Sequence, residues 1–222
     1  RNSQNPSISK NGRFCTRIVV SFVAAHGDMV AINDPVELQI DLNDSDGNGL
    51  CWYQHPTHGP LVDVALIRIE WGERIGNRAL NDHDFFPRLL VYAGDGVFIL
   101  GFPWGLGGPT PIVPIWKSGT IASIPGVPHS GMPSFLIDSR TFKGMSGGPV
   151  ICRHSLTMGG DRRISNFDKA SDPIFGQLDC LCGIYSGRLL AEDGTETDLG
   201  KGWRLEVVEQ IWAAKVLGRA MG

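Results

Sequence analysis

The fold is decided by one stretch of the chain, Gly144-Met145-Ser146-Gly147-Gly148-Pro149. A serine that attacks a carbonyl group needs an exposed Oγ beside two backbone N–H groups, and a tight, glycine-dependent turn provides both. Gly144 has no side chain to block that approach, and Pro149 fixes φ where the next strand begins. The stretch predicts a nucleophile loop with Ser146 as nucleophile and an oxyanion hole formed by the N–H groups of Gly144 and Ser146. The alternative is a glycine-rich turn with an incidental serine.

Short apolar stretches on both sides of this loop alternate with turn residues, a pattern typical of strands. Glycine (29 residues) and proline (14 residues) are spread along the 222-residue chain, which suits many short strands joined by turns. Strands are predicted at residues 15–25, 29–42, 50–53, 61–70, 89–102, 115–124, 133–137, 149–153 and 181–185. At the C-terminal end, apolar residues recur at three- and four-residue spacing without proline, which predicts an amphipathic helix. The sequence thus predicts an all-β protein closed by one C-terminal α-helix.

The charge and the apolar content of the chain exclude two classes of partner. Lys and Arg total 20 against 23 Asp and Glu, a net charge of -3, so the chain lacks the basic face that a nucleic acid needs. The most apolar stretch, residues 89–102, is interrupted by Asp95 and is too short to span a membrane. The five cysteines cannot all pair with one another, which favours reduced thiols and a cytoplasmic location.

Two segments contain potential metal ligands, and both are better explained without a metal. Cys180 and Cys182 form a lone C-x-C pair, which is typical of buried core thiols when no second pair accompanies it. Residues 44–49 match the start of a calcium-binding loop, but its twelfth position is His55 instead of Glu, so a hairpin turn is predicted. His55 and the nearby His58 are expected to be solvated loop histidines. We therefore expect neither a metal ion nor a cofactor.

The nucleophile loop resembles that of trypsin-like and HtrA-like serine peptidases, and three further segments match in the expected order. Residues 100–106 (LGFPWGL) resemble the Gly-x-Pro-x-Gly segment that opens the second barrel of the HtrA-like branch. Residues 117–123 (KSGTIAS) resemble the strand that follows it, and residues 183–188 (GIYSGR) resemble the strand that binds the substrate backbone. The implied fold is a double β-barrel of the chymotrypsin type.

The same resemblance implies a division of the chain and an activity. Residues 1–88 would form a partial N-terminal barrel, residues 89–204 the C-terminal barrel with the nucleophile loop, and residues 205–218 the closing helix. The implied activity is that of a serine endopeptidase, which hydrolyses polypeptide substrates through a Ser-His-Asp triad.

Asp63 stands in the segment LVDVAL at residues 61–66, which matches the Asp-[IV]-Ala-[VL]-Leu strand that carries the triad carboxylate in this family. The resemblance implies that Asp63 orients and stabilises the catalytic histidine. A strand-edge aspartate is the alternative for Asp63. The resemblance also implies that Ser186 supports the Asp63 carboxylate, and that Ser186, Gly187 and Arg188 pair with the substrate main chain by strand addition.

The position of the catalytic histidine is open between two interpretations. His26 follows Ala24-Ala25, as in the Ala-Ala-His of trypsins, and precedes Asp63 in the correct order. However, His26 is predicted at the tip of a hairpin, and residues 49–56 resemble a bacterial group whose catalytic histidine lies well upstream, before a polar segment like residues 1–12. We favour the second interpretation, in which the general base precedes Arg1 and the chain is truncated.

Two other functions are compatible with part of the pattern. A protease fold without its general base would be an inactive peptide-binding or scaffolding domain. The Gly-x-Ser-x-Gly spacing also satisfies the nucleophile elbow of the α/β-hydrolases, which would make the protein a serine esterase. That fold needs a helix after the serine, whereas residues 149–152 have the composition of a strand.

Overall fold

The computed structural model describes residues 17–26, 29–42, 51–70, 80, 90–105, 113–156 and 176–218. They belong to two compact units, one drawn from Arg1–Gly76 and Gln210–Gly222 and the other from Asn77–Glu209. The described residues are mostly strand, with one α-helix near the C-terminus, as the sequence predicted. No helix among them is long and apolar enough to cross a membrane. The turns predicted at residues 27–28 and 44–49 and the polar segment 1–12 lie outside the described residues.

The first unit begins with the predicted hairpin. Strands β1 (Arg17–His26) and β2 (Met29–Asp41) pair antiparallel, from Arg17 opposite Asp41 to His26 opposite Met29. The register shifts between Val23 and Ala24. His26 is therefore the last paired residue of β1, as its predicted place at a hairpin tip requires.

Two short strands follow in the same unit, β3 (Trp52–Gln54) and β4 (Leu66–Ile67), which pair antiparallel. The strand predicted at residues 61–70 is wrong except at residues 66–67. The N–H groups of Leu61 and Val62 donate back into the preceding turn, to the carbonyls of His58 and Gly59, so they are not available to a neighbouring strand. Asp63 thus lies in an irregular segment between that turn and β4.

The second unit contains a closed antiparallel barrel in the order β10-β7-β6-β5-β8-β9. Its strands are β5 (Gly96–Gly101), β6 (Ile115–Ile121), β7 (Ser134–Asp138), β8 (Pro149–Leu156), β9 (Gly176–Leu190) and β10 (Glu196–Arg204). A 3-10 turn, Pro103–Gly105, follows β5. Closure pairs both edges of every strand in the barrel, which removes exposed sheet edges along most of its length.

The barrel core is built from alternate residues of these strands. In β5, Val97 and Ile99 are fully buried while Phe98 between them is only half-buried. The buried apolar cluster consists of Val97, Ile99, Ile121, Phe135, Ile137, Met145, Val150, Cys152, Cys180 and Tyr185. Met145 comes from the nucleophile loop, so the core itself anchors that loop.

Strand β10 was missed by the sequence prediction. Its sequence, ETDLGKGWR, combines charged residues with glycines and lacks a clear apolar alternation. A Cβ at Gly200 would lie 2.6 Å from the ring of Tyr185, and a Cβ at Gly202 would lie 2.6 Å from the ring of Phe135. The two glycines therefore make room for aromatic rings of neighbouring strands, a packing relation that appears only in the folded barrel.

The predicted C-terminal helix is present as α1 (Leu205–Ala214), and its buried face carries Val207 and Ile211. It ends before the predicted residue 218, because Lys215 has a φ of 49° and leaves the helical conformation. Strand β11 (Val216–Leu217) then pairs with β3, giving a three-stranded sheet in the order β11-β3-β4.

Candidate active site

Ser146 lies in the loop that joins β7 to β8, and its side chain is exposed. Its Oγ makes no hydrogen bond to any residue that the structure describes. A Cβ built on Gly187 of β9 would lie 3.9 Å from this Oγ, so the backbone of β9 passes directly beside the hydroxyl. The predicted nucleophile is thus accessible, and a strand runs next to it.

Most backbone N–H groups of the loop are already used. Three of them donate to carbonyls: Met145 to Phe142 (3.3 Å), Gly147 to Tyr185 (2.8 Å) and Gly148 to Met145 (3.1 Å). The N–H groups of Gly144 and Ser146 donate to no residue within the described ranges. These two groups belong to the same loop as the exposed hydroxyl and are available for the predicted oxyanion hole.

The glycines of this loop are required by its backbone. Gly144 has a φ of +95°, and a Cβ there would lie 2.1 Å from the carbonyl oxygen of Phe102. A Cβ at Gly148 would lie 1.9 Å from the carbonyl oxygen of Leu100. Real Cβ atoms do not approach backbone oxygens this closely, so only glycine fits at either position.

The segment after β5 contacts the nucleophile loop through hydrogen bonds and a ring contact. The N–H of Phe102 donates to the carbonyl of Gly144 at 3.1 Å, and that of Trp104 donates to Lys143 at 2.6 Å. The ring of Trp104 packs on that of Phe142 with 4.3 Å between centroids. The segment LGFPWGL, which resembles a family motif in sequence, therefore contacts the nucleophile loop directly.

A buried hydroxyl pair fixes the other side of the loop. Thr141 and Tyr185 are each about 1% exposed, and their hydroxyl groups hydrogen-bond to each other. Burial raises the pKa of Tyr185, so the phenol stays protonated and can act as a donor. The sequence analysis did not single out this pair, because nothing in the sequence links Thr141 to Tyr185, which stands in the segment GIYSGR.

Strand β9 offers a free edge next to Ser146. Its pairing with β8 ends at Ile184, opposite Pro149, whereas its pairing with β10 continues through Gly187 and Arg188. The register with β10 skips Ser186, which marks a β-bulge there. Among the described strands, Gly187 and Arg188 therefore pair with β10 alone.

The side chain of Arg188 is committed to an ion pair. Its Nη2 lies 2.5 Å from Oε2 of Glu196, and the Arg188 side chain is 19% exposed. At this position the backbone of β9, more than the guanidinium group, is available to a ligand.

The structure brings Ser146, Gly144 and residues 186–188 together in the barrel unit. Asp63 belongs to the other unit, where it is exposed and follows the buried Val62. The expectation that His55 is a solvated loop histidine is wrong, since His55 is 3% exposed. Its Nε2 lies 2.8 Å from Oε1 of Gln210, and its Nδ1 accepts backbone N–H groups, which gives the ring a structural role.

Two histidines lie in the described part of the barrel unit. His129 occupies a turn closed by its bridge to Met132. His154 is buried on β8, with Nε2 3.2 Å from Sγ of Cys152. Neither hydrogen-bonds to Ser146, the predicted nucleophile, within the described part of this unit.

Comparison with known proteins identifies the family. The family model of the trypsin-like peptidase domain matches residues 12–158, about two thirds of the chain. The match includes Asp63 and Ser146 and ends before the free edge of β9. No curated protein matches the chain. With a closed antiparallel barrel that presents the Gly-Met-Ser-Gly-Gly loop, the chain belongs to the family of trypsin-like peptidase domains.

Proposed function

We propose that the protein is a serine endopeptidase with Ser146 as its nucleophile. The observation that carries this proposal is the pair of unused N–H groups, on Gly144 and Ser146, in the same loop as an exposed hydroxyl that bonds to no described residue. Oγ of Ser146 attacks the peptide carbonyl while a histidine takes its proton, and the two N–H groups hold the resulting oxyanion. The proton then goes to the leaving amine, and water releases the acyl-enzyme. Asp63 orients the histidine in this scheme.

The substrate is an extended polypeptide that adds a strand to the barrel. Gly187 and Arg188 of β9 pair with β10 alone among the described strands, and their edge adjoins Ser146, with 3.9 Å between its Oγ and a Cβ built on Gly187. A peptide that pairs with this edge in antiparallel fashion would present its carbonyl groups to the hydroxyl. Recognition of the main chain by Ser186, Gly187 and Arg188 leaves side-chain specificity to other residues.

Two of the described histidines are already engaged. His154 packs against Cys152, and in the other unit His55 bonds to Gln210, so neither ring is available for proton transfer. The two candidates that the sequence favours are His26 and a histidine that precedes residue 1 in a longer gene product. We favour the upstream histidine, because His26 pairs with Met29 at the end of a hairpin strand.

A fluorophosphonate probe tests the proposal, since it labels only serines activated by a general base. The probe is applied to residues 1–222, to a protein extended upstream to the start of its gene, and to Ser146→Ala and His26→Ala variants of both. We expect labelling of Ser146 in the extended protein alone. Labelling of residues 1–222 that disappears with His26→Ala would assign the base to His26. Absence of labelling in every folded form contradicts a serine peptidase.

A non-catalytic peptide-binding domain is the second candidate. The observation that favours it is the absence of a histidine bonded to Ser146 within the described residues. Such a domain would bind peptides at the β9 edge with equal affinity in the Ser146→Ala variant and would leave them intact. The esterase is disfavoured, because a strand, β8, and not a helix follows the serine.

A further inference from the structure

Four side chains that commonly bind metals converge on the paired strands β8 and β9, away from the Ser146 loop. Cys152 and His154 stand on β8, and Cys180 and Cys182 stand on β9. The sulfur atoms of the three cysteines all lie within 4.8 Å of one another. Nε2 of His154 lies 3.2 Å from Sγ of Cys152. This group is called the cysteine cluster below.

The strand pairing builds the cluster from two short sequence pairs. Residues two apart on a strand point to the same face, which places Cys152 with His154 and Cys180 with Cys182. The register then sets Cys152 directly opposite Cys180. It also shifts between Val150 and Ile151 and leaves Cys182 unpaired in a β-bulge, a feature that redirects a side chain. The second pair that a C-x-C motif lacks in sequence is therefore the C-x-H of β8.

We propose that Cys152, His154, Cys180 and Cys182 bind one structural zinc ion. Three thiolates and one imidazole are a common ligand set for closed, tetrahedral zinc sites. Zinc–ligand bonds of about 2.3 Å to sulfur and about 2.0 Å to nitrogen place tetrahedral ligand atoms about 3.5 to 3.8 Å apart. The observed separations are at most 4.8 Å between the three sulfurs and 3.2 Å between Sγ of Cys152 and Nε2 of His154, so the sulfurs already cluster near that geometry and His154 adjoins them through Cys152.

Burial favours a structural site over a reactive one. Cys152, Cys180 and His154 are 0%, 2% and 6% exposed, so these three ligands have no room for substrate or catalytic water. Cys182 is half-buried and lines a cavity of about 320 Å³ together with the exposed Glu206 and Glu209. The cavity thus reaches one of the four proposed ligands.

The charge of the cluster also suits a cation. Zinc is divalent and binds cysteine as the thiolate, so its binding releases the thiol protons of the three cysteines to solvent.

Asp95 is assigned as an outer partner of the site. One of its carboxylate oxygens lies within 4.8 Å of the sulfur of Cys152 and a ring nitrogen of His154. Oδ2 of Asp95 accepts the N–H of Tyr92 at 2.8 Å, which fixes the carboxylate in its turn. A carboxylate beside a ligating histidine orients the ring and raises its basicity. We therefore assign the imidazole of His154, and not the carboxylate of Asp95, as the fourth zinc ligand beside the three thiolates.

The test measures bound metal in the whole protein, purified without chelators from zinc-supplemented medium. We expect about one zinc ion per chain by elemental mass spectrometry, as for a closed four-ligand site. Cys182→Ser and His154→Ala are expected to lose most of it. Cys51→Ser is the matched control, since Cys51 is an exposed cysteine of the other unit and its variant keeps the zinc.

A second measurement does not depend on the folding of any ligand variant. Wild-type protein produced with cobalt in place of zinc is expected to show thiolate-to-cobalt charge-transfer bands and the intense visible bands of a tetrahedral ion. Asp95→Asn keeps these bands, while its zinc affinity falls by about 10- to 100-fold.

Three results would overturn the proposal. They are a wild-type zinc content far below one per chain, a cobalt spectrum without thiolate bands, and an intact mass that reveals a disulfide between Cys152 and Cys180. Full zinc content in His154→Ala together with loss in Asp95→Asn would overturn the assignment of His154 as the fourth ligand.

Discussion

The two ends of the β8–β9 pair are held together in different ways. At the end near Ser146 the backbone makes the contacts, since the N–H of Gly147 donates to Tyr185 and that of Tyr185 donates to Gly148, each at 2.8 Å. Towards the other end, where Cys152 stands opposite Cys180, side chains add contacts of their own in the cysteine cluster. The first end presents an exposed serine on a loop held by main-chain hydrogen bonds, and the second end packs buried side chains against one another.

This difference predicts which kind of substitution each end tolerates. A loop held by its backbone loses stability when a Cβ is added at a closely packed glycine. Its stability does not change when an exposed side chain without contacts is removed. A site held by side chains behaves in the opposite way, because buried polar atoms that lose their partners are costly. Substitutions along β8 and the loop before it separate the two cases.

Gly148→Ala is expected to have the largest effect. Its Cβ would lie 1.9 Å from the carbonyl oxygen of Leu100 and 2.9 Å from that of Met145, and neither backbone atom can move without distorting β5 or the loop. We expect a loss of about 3 kcal/mol or more in the free energy of unfolding. Chemical denaturation measured by circular dichroism gives this value.

Gly126→Ala is the matched control, since a Cβ at Gly126 has no atom within 4 Å. Its unfolding free energy should change by no more than about 0.5 kcal/mol. Equal stability of the two variants would contradict a backbone-held nucleophile loop.

Tyr185→Phe is expected to have an intermediate effect. It removes the phenolic hydroxyl that hydrogen-bonds to Thr141 and leaves the buried Thr141 hydroxyl without this partner. The expected loss in the free energy of unfolding is about 1 to 3 kcal/mol. The double variant with Thr141→Val removes both polar groups and should recover part of that loss. If the double variant loses more free energy of unfolding than the two single variants lose together, then packing dominates here and not the hydrogen bond.

The nucleophile loop could be predicted from the sequence because its geometry is local. At Gly144 and Gly148 the backbone approaches other carbonyl oxygens so closely that only glycine fits, and the serine stands between these two glycines. The strand at residues 61–70 was wrong for the opposite reason. The apolar pattern around Asp63 is that of a strand, but the turn at residues 55–62 captures the N–H groups that pairing would need.

The cysteine cluster could not be predicted because it depends on register. Cys152 and Cys180 are distant in sequence, and only the pairing of β8 with β9 sets them opposite each other. A search for two C-x-C or C-x-x-C pairs fails here, since one pair is C-x-H. The cluster could have been found by searching for pairs of Cys or His two residues apart on two neighbouring predicted strands.

Ser146→Ala is expected to have the smallest effect on stability. The Ser146 side chain is exposed and bonds to no described residue, so its loss should change the unfolding free energy by no more than about 0.5 kcal/mol. Cys152→Ser, on the same strand pair, places a hydroxyl in a fully buried position and should cost about 1 to 3 kcal/mol. Denaturation curves of both variants under one set of conditions compare the two ends directly. If Ser146→Ala proved the more damaging change, the hydroxyl would have a structural role. The unused N–H groups of Gly144 and Ser146 would then no longer support a catalytic role for this loop.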